Sequence, residues 1–394
     1  MPPPVPPPPC AGDTLCAAAV KVLRTADPWR KADYGDLAAK LWASGAIRDA
    51  YAADDARGCE SLNGDGTEDR CAETREDGAA DAGVGESDEE RWLSVPDRPA
   101  RDDTVRVVAA RDMPRRGKGG SQQSRLALLH SLVHIESWAV DLAWDIIARF
   151  GRAQRMPRTF FSDFVQVAAD EARHFRLLAA RLQALGSNYG ALPAHDGLWE
   201  SAAATAGDLK ARLAIEHCVH EARGLDVVPQ TIERFRAGGD SETAELLERV
   251  VYPEEITHCA AGRRWFTFLC LREVRGGRGA EGGEGGGCGR GGAEGEAAAA
   301  EGGSTRETAT AARVVEGDGA GGEGEVGAGR KDEAEREEQS IGEEEASVEE
   351  HAYIVGQFHA IVRANFRGKL KPPFNHEARE KAGFTRDWYE ALAE

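Results

Sequence analysis

The chain has 394 residues, 30% of them charged, a net charge of −19 and eight cysteines. Its length suggests two or three domains, but two stretches, from Gly58 to Glu90 and from Gly276 to about Glu350, are Gly, Glu, Asp and Ala with few aliphatic side chains. Segments so poor in apolar groups cannot offset the entropy of ordering and read as disordered acidic inserts, leaving enough chain for one sizeable helical core.

The charge is unevenly placed. Residues 276–350 hold 7 basic and 20 acidic side chains, whereas 101–275 hold 24 and 23, so the acidity belongs to an insert. It neither supports nor excludes an anionic substrate. The cysteines, at 10, 16, 59, 71, 218, 259, 270 and 288, form no Cys-x-x-Cys pair and are expected as free thiols. No signal peptide, transit peptide or apolar run of membrane-spanning length is recognised, so the expectation is a cytoplasmic protein without a membrane partner.

In chain order, a Pro-rich start precedes two short helical patterns between Asp13 and Ala46, broken at Asp27-Pro28. Prolines at 96, 99 and 114 predict an extended arm. Apolar residues at spacings of three and four then predict long helices over about 124–150, 159–185, 206–237 and 240–272, and a fifth over 348–368. Short links within the first and second pairs predict antiparallel hairpins, and about twenty residues between the pairs predict a long crossover. The expected fold is all-α: a ferritin-like four-helix bundle of two hairpins with a crossover, plus a C-terminal helix. The corresponding divisions are a short helical N-terminal segment (1–57), an insert (58–92), the bundle (93–275), a second insert (276–347) and a C-terminal helix and tail packing on the bundle (348–394).

Two Glu-x-x-His motifs, Glu171/His174 and Glu255/His258, fall in the second and fourth helices. Residues three apart share a helix face, so each pair can reach one point in the bundle interior. Di-metal carboxylate bundles add one Glu from each remaining helix. Glu136 and Glu221 sit amid the apolar stripes of the first and third helices, and the hairpins place their ligands at matching depth: 35 residues separate Glu136 from Glu171, and 34 separate Glu221 from Glu255. A lone Glu-x-x-His is common and mostly means nothing. Four inward carboxylates demand a compensating charge; Arg173 or Arg223 could supply it as ion pairs, but the combined pattern favours metal. The predicted ligands are Glu136, Glu171, His174, Glu221, Glu255 and His258, around two iron ions with manganese as the alternative, because this oxygen-rich set suits them better than zinc. No catalytic residue beyond these ligands is assigned.

Second carboxylates should orient the imidazoles, with Asp170, Asp226, Asp141 and Asp145 as candidates. His134 lies two residues from Glu136, roughly 200° away around the helix, and reads as structural or supporting. His217 shares a face with Glu221 and could approach the site. Cys218 and Cys259 read as small core residues, and Trp138, Trp144 and Trp265 as packing. His195-Asp196 could line an entrance or cap the third helix. Pro253, two residues before Glu255, should disturb the fourth helix through a kink or π-bulge, and leaves open whether Glu254 or Glu255 faces the metals.

The segments His134-Ile135-Glu136, Asp170-Glu171-Ala172-Arg173-His174, Pro193-Ala194-His195-Asp196-Gly197-Leu198-Trp199 and Glu221-Ala222-Arg223-Gly224-Leu225-Asp226, in this order, resemble the ferritin-like domain-of-unknown-function family 455. The resemblance extends to Leu23–Pro28, Pro372-Pro373-Phe374-Asn375 and Ala382-Gly383-Phe384, and excludes the inserts. It implies a di-metal bundle without a settled activity. By ligand motifs the family resembles the di-iron hydroxylase of isopentenylated adenosine in tRNA, an analogy of fold that does not fix function.

The leading expectation is an O2-dependent di-iron oxidase or hydroxylase, needing an electron donor and a small-molecule or modified-nucleoside substrate. The alternatives are a ferroxidase, iron-handling or peroxide-detoxifying protein, and a metal-stabilised structural or interaction protein. Nucleic acid is left open on one basic run, Arg111, Arg115, Arg116 and Lys118, which reads more simply as a solvated arm.

Overall fold

The computed structural model describes residues 5–52, 94–114, 120–281 and 346–393. The expected first insert, most of the second, and Arg115, Arg116 and Lys118 lie outside the described residues. Those described are mostly helical, with two isolated β-bridges and no strands among them.

The N-terminal pair is α1 (Leu15–Leu23) and α2 (Pro28–Ala43). Asp27 ends the gap between them by capping α2, its carboxylate accepting from the Arg30 amide, with Pro28 at the first helical position where its missing N–H costs nothing. Residues 94–114 run as the expected arm. Val108 donates to the Ala194 carbonyl and Ala194 to that of Arg106, which ties the arm to the crossover.

The long helices are α3 (Gln122–Ile146, prolonged by a π turn at Ile147–Gly151) and α4 (Arg158–Ala184). The crossover carries a short helix, α5 (Gly197–Ala204). Then come α6, over 209–237 with a π-helical stretch at Leu213–His220, and α7, over 241–281 with a π turn at Leu247–Val251. The α3–α4 and α6–α7 hairpins with a crossover between them are compatible with a ferritin-like bundle.

The π turn before Pro253 explains how a proline sits inside α7. The Tyr252 amide reaches back five residues to the Leu247 carbonyl, a wider loop that re-phases the helix where Pro253 cannot donate. Helix α7 continues past its expected end near Arg272, and Arg275 pairs with Glu350 at the start of α8 (Val348–Asn365). Glu350 also closes a capping box with Ser347. Phe358 of α8 meets Phe266 of α7 edge-on. The tail holds on through Asn375, whose amides bond Asp226, the Leu225 carbonyl and the Tyr252 hydroxyl, and through Arg379 paired with Asp226.

Three of the candidate orienting carboxylates are thereby occupied elsewhere. Asp226 holds the tail. Asp141 takes Lys31 of α2, at 2.7 Å, and Arg101 of the arm; Asp145 takes Arg149 and Arg212. Asp141, Asp145, Lys31 and Arg212 are all buried, so these pairs lock the arm, α2 and α6 to the outer side of α3.

Two positions test the packing. A Cβ on Gly262 would stand 2.0 Å from the His217 carbonyl oxygen, so α6 and α7 approach as closely as they do only because residue 262 has none. Gly262→Ala should cost about 2–3 kcal/mol, read as a lower denaturation midpoint with an unchanged slope. Glu216, 1% exposed, has no hydrogen-bond partner on either carboxylate oxygen, with His220 Nε2 3.9 Å away. Burial pushes its carboxyl up to about 7, against smaller opposing effects from Ser201 and Arg212. The native state therefore keeps a proton that the unfolded chain has lost, a stabilisation complete below the ordinary carboxyl range and lost as pH rises through about 7. Glu216→Gln should leave stability at about pH 4 nearly unchanged and raise it at about pH 8 by up to about 3 kcal/mol, measured by urea unfolding at both values.

Candidate metal centre

The six predicted ligands come from the four long helices: Glu136 from α3, Glu171 and His174 from α4, Glu221 from α6, Glu255 and His258 from α7. All but the half-buried Glu221 are buried. They form two clusters, Glu136/Glu171/His174/Glu255 and Glu171/Glu221/Glu255/His258, in each of which one ligand atom per residue lies within 4.8 Å of the others. Glu171 and Glu255 belong to both clusters.

The imidazoles point inward through the same atom. His174 Nδ1 is 3.6 Å from Glu136, 3.5 Å from Glu171 and 3.6 Å from Glu255. His258 Nδ1 is 3.0 Å from Glu171 and 3.7 Å from Glu255. Both Nδ1 atoms and Glu171 Oε2 are fully buried without a hydrogen-bond partner. Unpaired buried polar atoms are costly, and six lone-pair donors converging on one interior volume fit a cation that would satisfy them together. Arg173 and Arg223 do not do so: Arg173 pairs with Glu254 and Asp170, and Arg223 lies over the Phe366 ring.

The outward nitrogens explain the orientation. His174 Nε2 is 2.6 Å from Glu254 Oε2, and His258 Nε2 is 3.5 Å from Asp170 Oδ2. Asp170 and Glu254 each stand immediately before a ligand Glu, and each holds the histidine of the opposite helix. The two clusters are therefore cross-braced, α4 orienting a histidine of α7 and α7 one of α4. Arg173 bonds both bracing carboxylates, so one guanidinium fixes both. Past Pro253, Glu255 belongs to both clusters and Glu254 stands behind His174.

Electrostatics follow from crowding. Burial, then the neighbouring Glu171, pushes the Glu136 carboxyl well above its ordinary range; burial, then Glu255 and Glu171, does the same to Glu221. For Glu171 burial also acts upward, but His258 and His174 outweigh it and hold the carboxyl below its ordinary range. Burial opposes the charge on His174, yet Glu136 and Glu171 raise it to about 11.

Other conspicuous residues lie apart. His217 packs edge-on against Phe164 and belongs to neither cluster; burial lowers it to about 3. Cys218 and Cys259 are buried free thiols, raised by burial. His134 bonds the Tyr189 hydroxyl and accepts from the Trp138 indole. Asp196 pairs with Arg98, and Asp208, not His195 or Asp196, caps α6. Arg111, from the basic run, is exposed beside Asp112. No described helix is long and apolar enough to cross a membrane.

These features define a helical protein with a carboxylate–histidine cluster able to hold a metal ion. The chain belongs to the family described as "Protein of unknown function (DUF455)", whose model matches residues 25–277. An uncharacterized protein of Haemophilus influenzae is 37% identical over 164 residues, 41% of this chain, and the match spans 56% of that protein's length. No solved structure matches the chain.

Arg173→Gln should loosen both histidines at once without removing a ligand. Metal affinity should fall about ten- to a hundredfold with helix content unchanged, by competition against a chelator. An unchanged affinity would show that the cross-brace does not orient the ligands.

Proposed function

We propose that this protein is a dinuclear iron carboxylate protein acting as an O2-dependent oxidase or hydroxylase. The observation that carries the reading is the sharing of Glu171 and Glu255 between two clusters, each completed by its own Glu and His. A single ion would use one cluster and leave the other unpaired; two ions would be held by all six residues, Glu136 and His174 serving one, Glu221 and His258 the other, and Glu171 and Glu255 available to both. Bound there, iron would supply the electrons and Lewis acidity for dioxygen reduction. The chain's residues do the remaining work. Glu136, Glu171, Glu221 and Glu255 supply negative charge to offset the cations. His174 and His258 present Nδ1 while Glu254 and Asp170 hold Nε2. Ala172 and Phe175, adjoining Glu171 and His174 in the chain, and Leu225, one turn beyond Glu221, are buried, so apolar side chains accompany the ligand residues in the interior. Glu254 and Arg173, 25% and 45% exposed, stand behind His174, so that edge is where a substrate and an electron donor would approach.

The test is anaerobic loading with Fe(II), followed by O2. Two irons per chain, with Fe(II) oxidised and O2 consumed in fixed proportion, are expected. Glu171→Ala should lose both ions because it belongs to both half-sites, whereas Glu136→Ala should retain one. Rapid oxidation of many added irons per chain would favour iron handling; tightly held metal inert to O2 would favour a structural role.

A further inference from the structure

A second cavity, of about 430 Å³, lies on the outer face of α3, beneath the end of the arm and the start of the crossover. His130, His134 and Trp138 line it from α3, and Pro193, His195 and Leu198 from the crossover. None of the six ligand residues does. His134 and Glu136 point roughly 200° apart on α3, so the helix itself separates the cavity from the metal cluster. The volume falls in the range of small-molecule sites, about 300–1,000 Å³.

The polar groups here are directional. The Gly190 amide donates to His130 Nε2 at 3.0 Å, so Nδ1 carries the proton of the neutral ring, and it meets no acceptor among the described residues. His130 is 1% exposed and lines the cavity. Gly190 adopts a positive φ of 95°, and a Cβ there would stand 2.0 Å from the Thr104 carbonyl oxygen, which fixes the turn that delivers the amide. On the other wall the Gly197 amide donates to His195 Nδ1 at 3.2 Å, so Nε2 carries the proton of the neutral ring, with no acceptor among the described residues. His134 offers nothing more, since Trp138 and Tyr189 occupy its two nitrogens. Among the described residues, no carboxylate lines the cavity.

We infer that this cavity binds an apolar small molecule through a carbonyl or carboxylate oxygen, received by His130 Nδ1–H and His195 Nε2–H while Trp138, Ile135, Leu198 and Met113 cover its body. Backbone amides set both imidazoles as donors before any ligand arrives, so the site selects acceptor heads and discriminates against ammonium heads. It is separate from the metal cluster and does not depend on how that cluster is read.

The test is calorimetric titration of the full chain with octanoate, octanamide and octylamine. One saturable site for octanoate is expected, with octylamine at least about tenfold weaker; octanamide binding like octanoate would assign a carbonyl acceptor, and octanamide binding like octylamine a carboxylate. Ala127→Trp, which fills the cavity, should abolish octanoate binding. His195→Ala, at an exposed residue whose loss leaves the fold intact, should weaken it about tenfold. Glu171→Ala, which dismantles the metal cluster, should leave it unchanged. Equal binding of octanoate and octylamine, binding unaffected by both cavity variants, binding lost in Glu171→Ala, or no saturable binding at millimolar concentration would each overturn the inference.

Discussion

Four carboxylates and two imidazoles share the interior of one helix bundle, and most of what is unusual about this protein answers the cost of that arrangement. Desolvating one unpaired carboxylate costs several kcal/mol, and here Glu136, Glu171 and Glu255 are buried with Glu221 beside them. The charges are not neutralised by arginine. Arg173 is spent on the bracing carboxylates behind the histidines, and Arg212 on Asp145. What remains is an interior in which lone pairs converge and several find no partner. Such an interior is able to hold a metal ion, and its division into two clusters, each with a Glu and a His of its own, is what the two-ion proposal rests on.

The rest of the fold holds that interior still. Gly262 lets α6 and α7 close on each other at His217. The π turn at Leu247–Val251 absorbs Pro253 and sets the phase in which Glu255 looks in and Glu254 looks back at His174. Outside α3, the buried pairs of Lys31 and Arg101 with Asp141 moor the arm and the N-terminal helices. That face, away from the metal cluster, is where the second cavity forms. One helix thus separates two chemically different sites, an oxygen-rich interior and an apolar chamber with fixed donors.

Much of this was legible in the residues. The 3.6-residue periodicity located every long helix to within a few residues, apart from the far end of α7, which outruns its apolar pattern because Arg275 is anchored by Glu350 of α8. The six clustered residues followed from two Glu-x-x-His motifs and the matched depth of Glu136 and Glu221, because helix geometry makes spacing equivalent to facing. The bracing was harder to read. Of four candidate aspartates, Asp170 alone reaches a histidine, and Glu254 was weighed only as a rival ligand. Its signal was present: an acidic residue directly before the Glu of each Glu-x-x-His motif. But the acceptor of each brace lies on the other hairpin, and a contact across helices leaves no periodicity in one sequence. The same holds for His130 and His195, whose tautomers are set by amides 60 and two residues away.

The proposal that two iron ions share Glu171 and Glu255 is addressed most directly by anomalous scattering from crystals of iron-loaded protein. The account predicts two iron peaks at the iron absorption edge, both adjoining Glu171 and Glu255, one also adjoining Glu136 and His174 and the other Glu221 and His258. One peak, or none with the carboxylates closed on each other and the imidazoles, would contradict it and leave a bundle whose buried charges are held by protons alone.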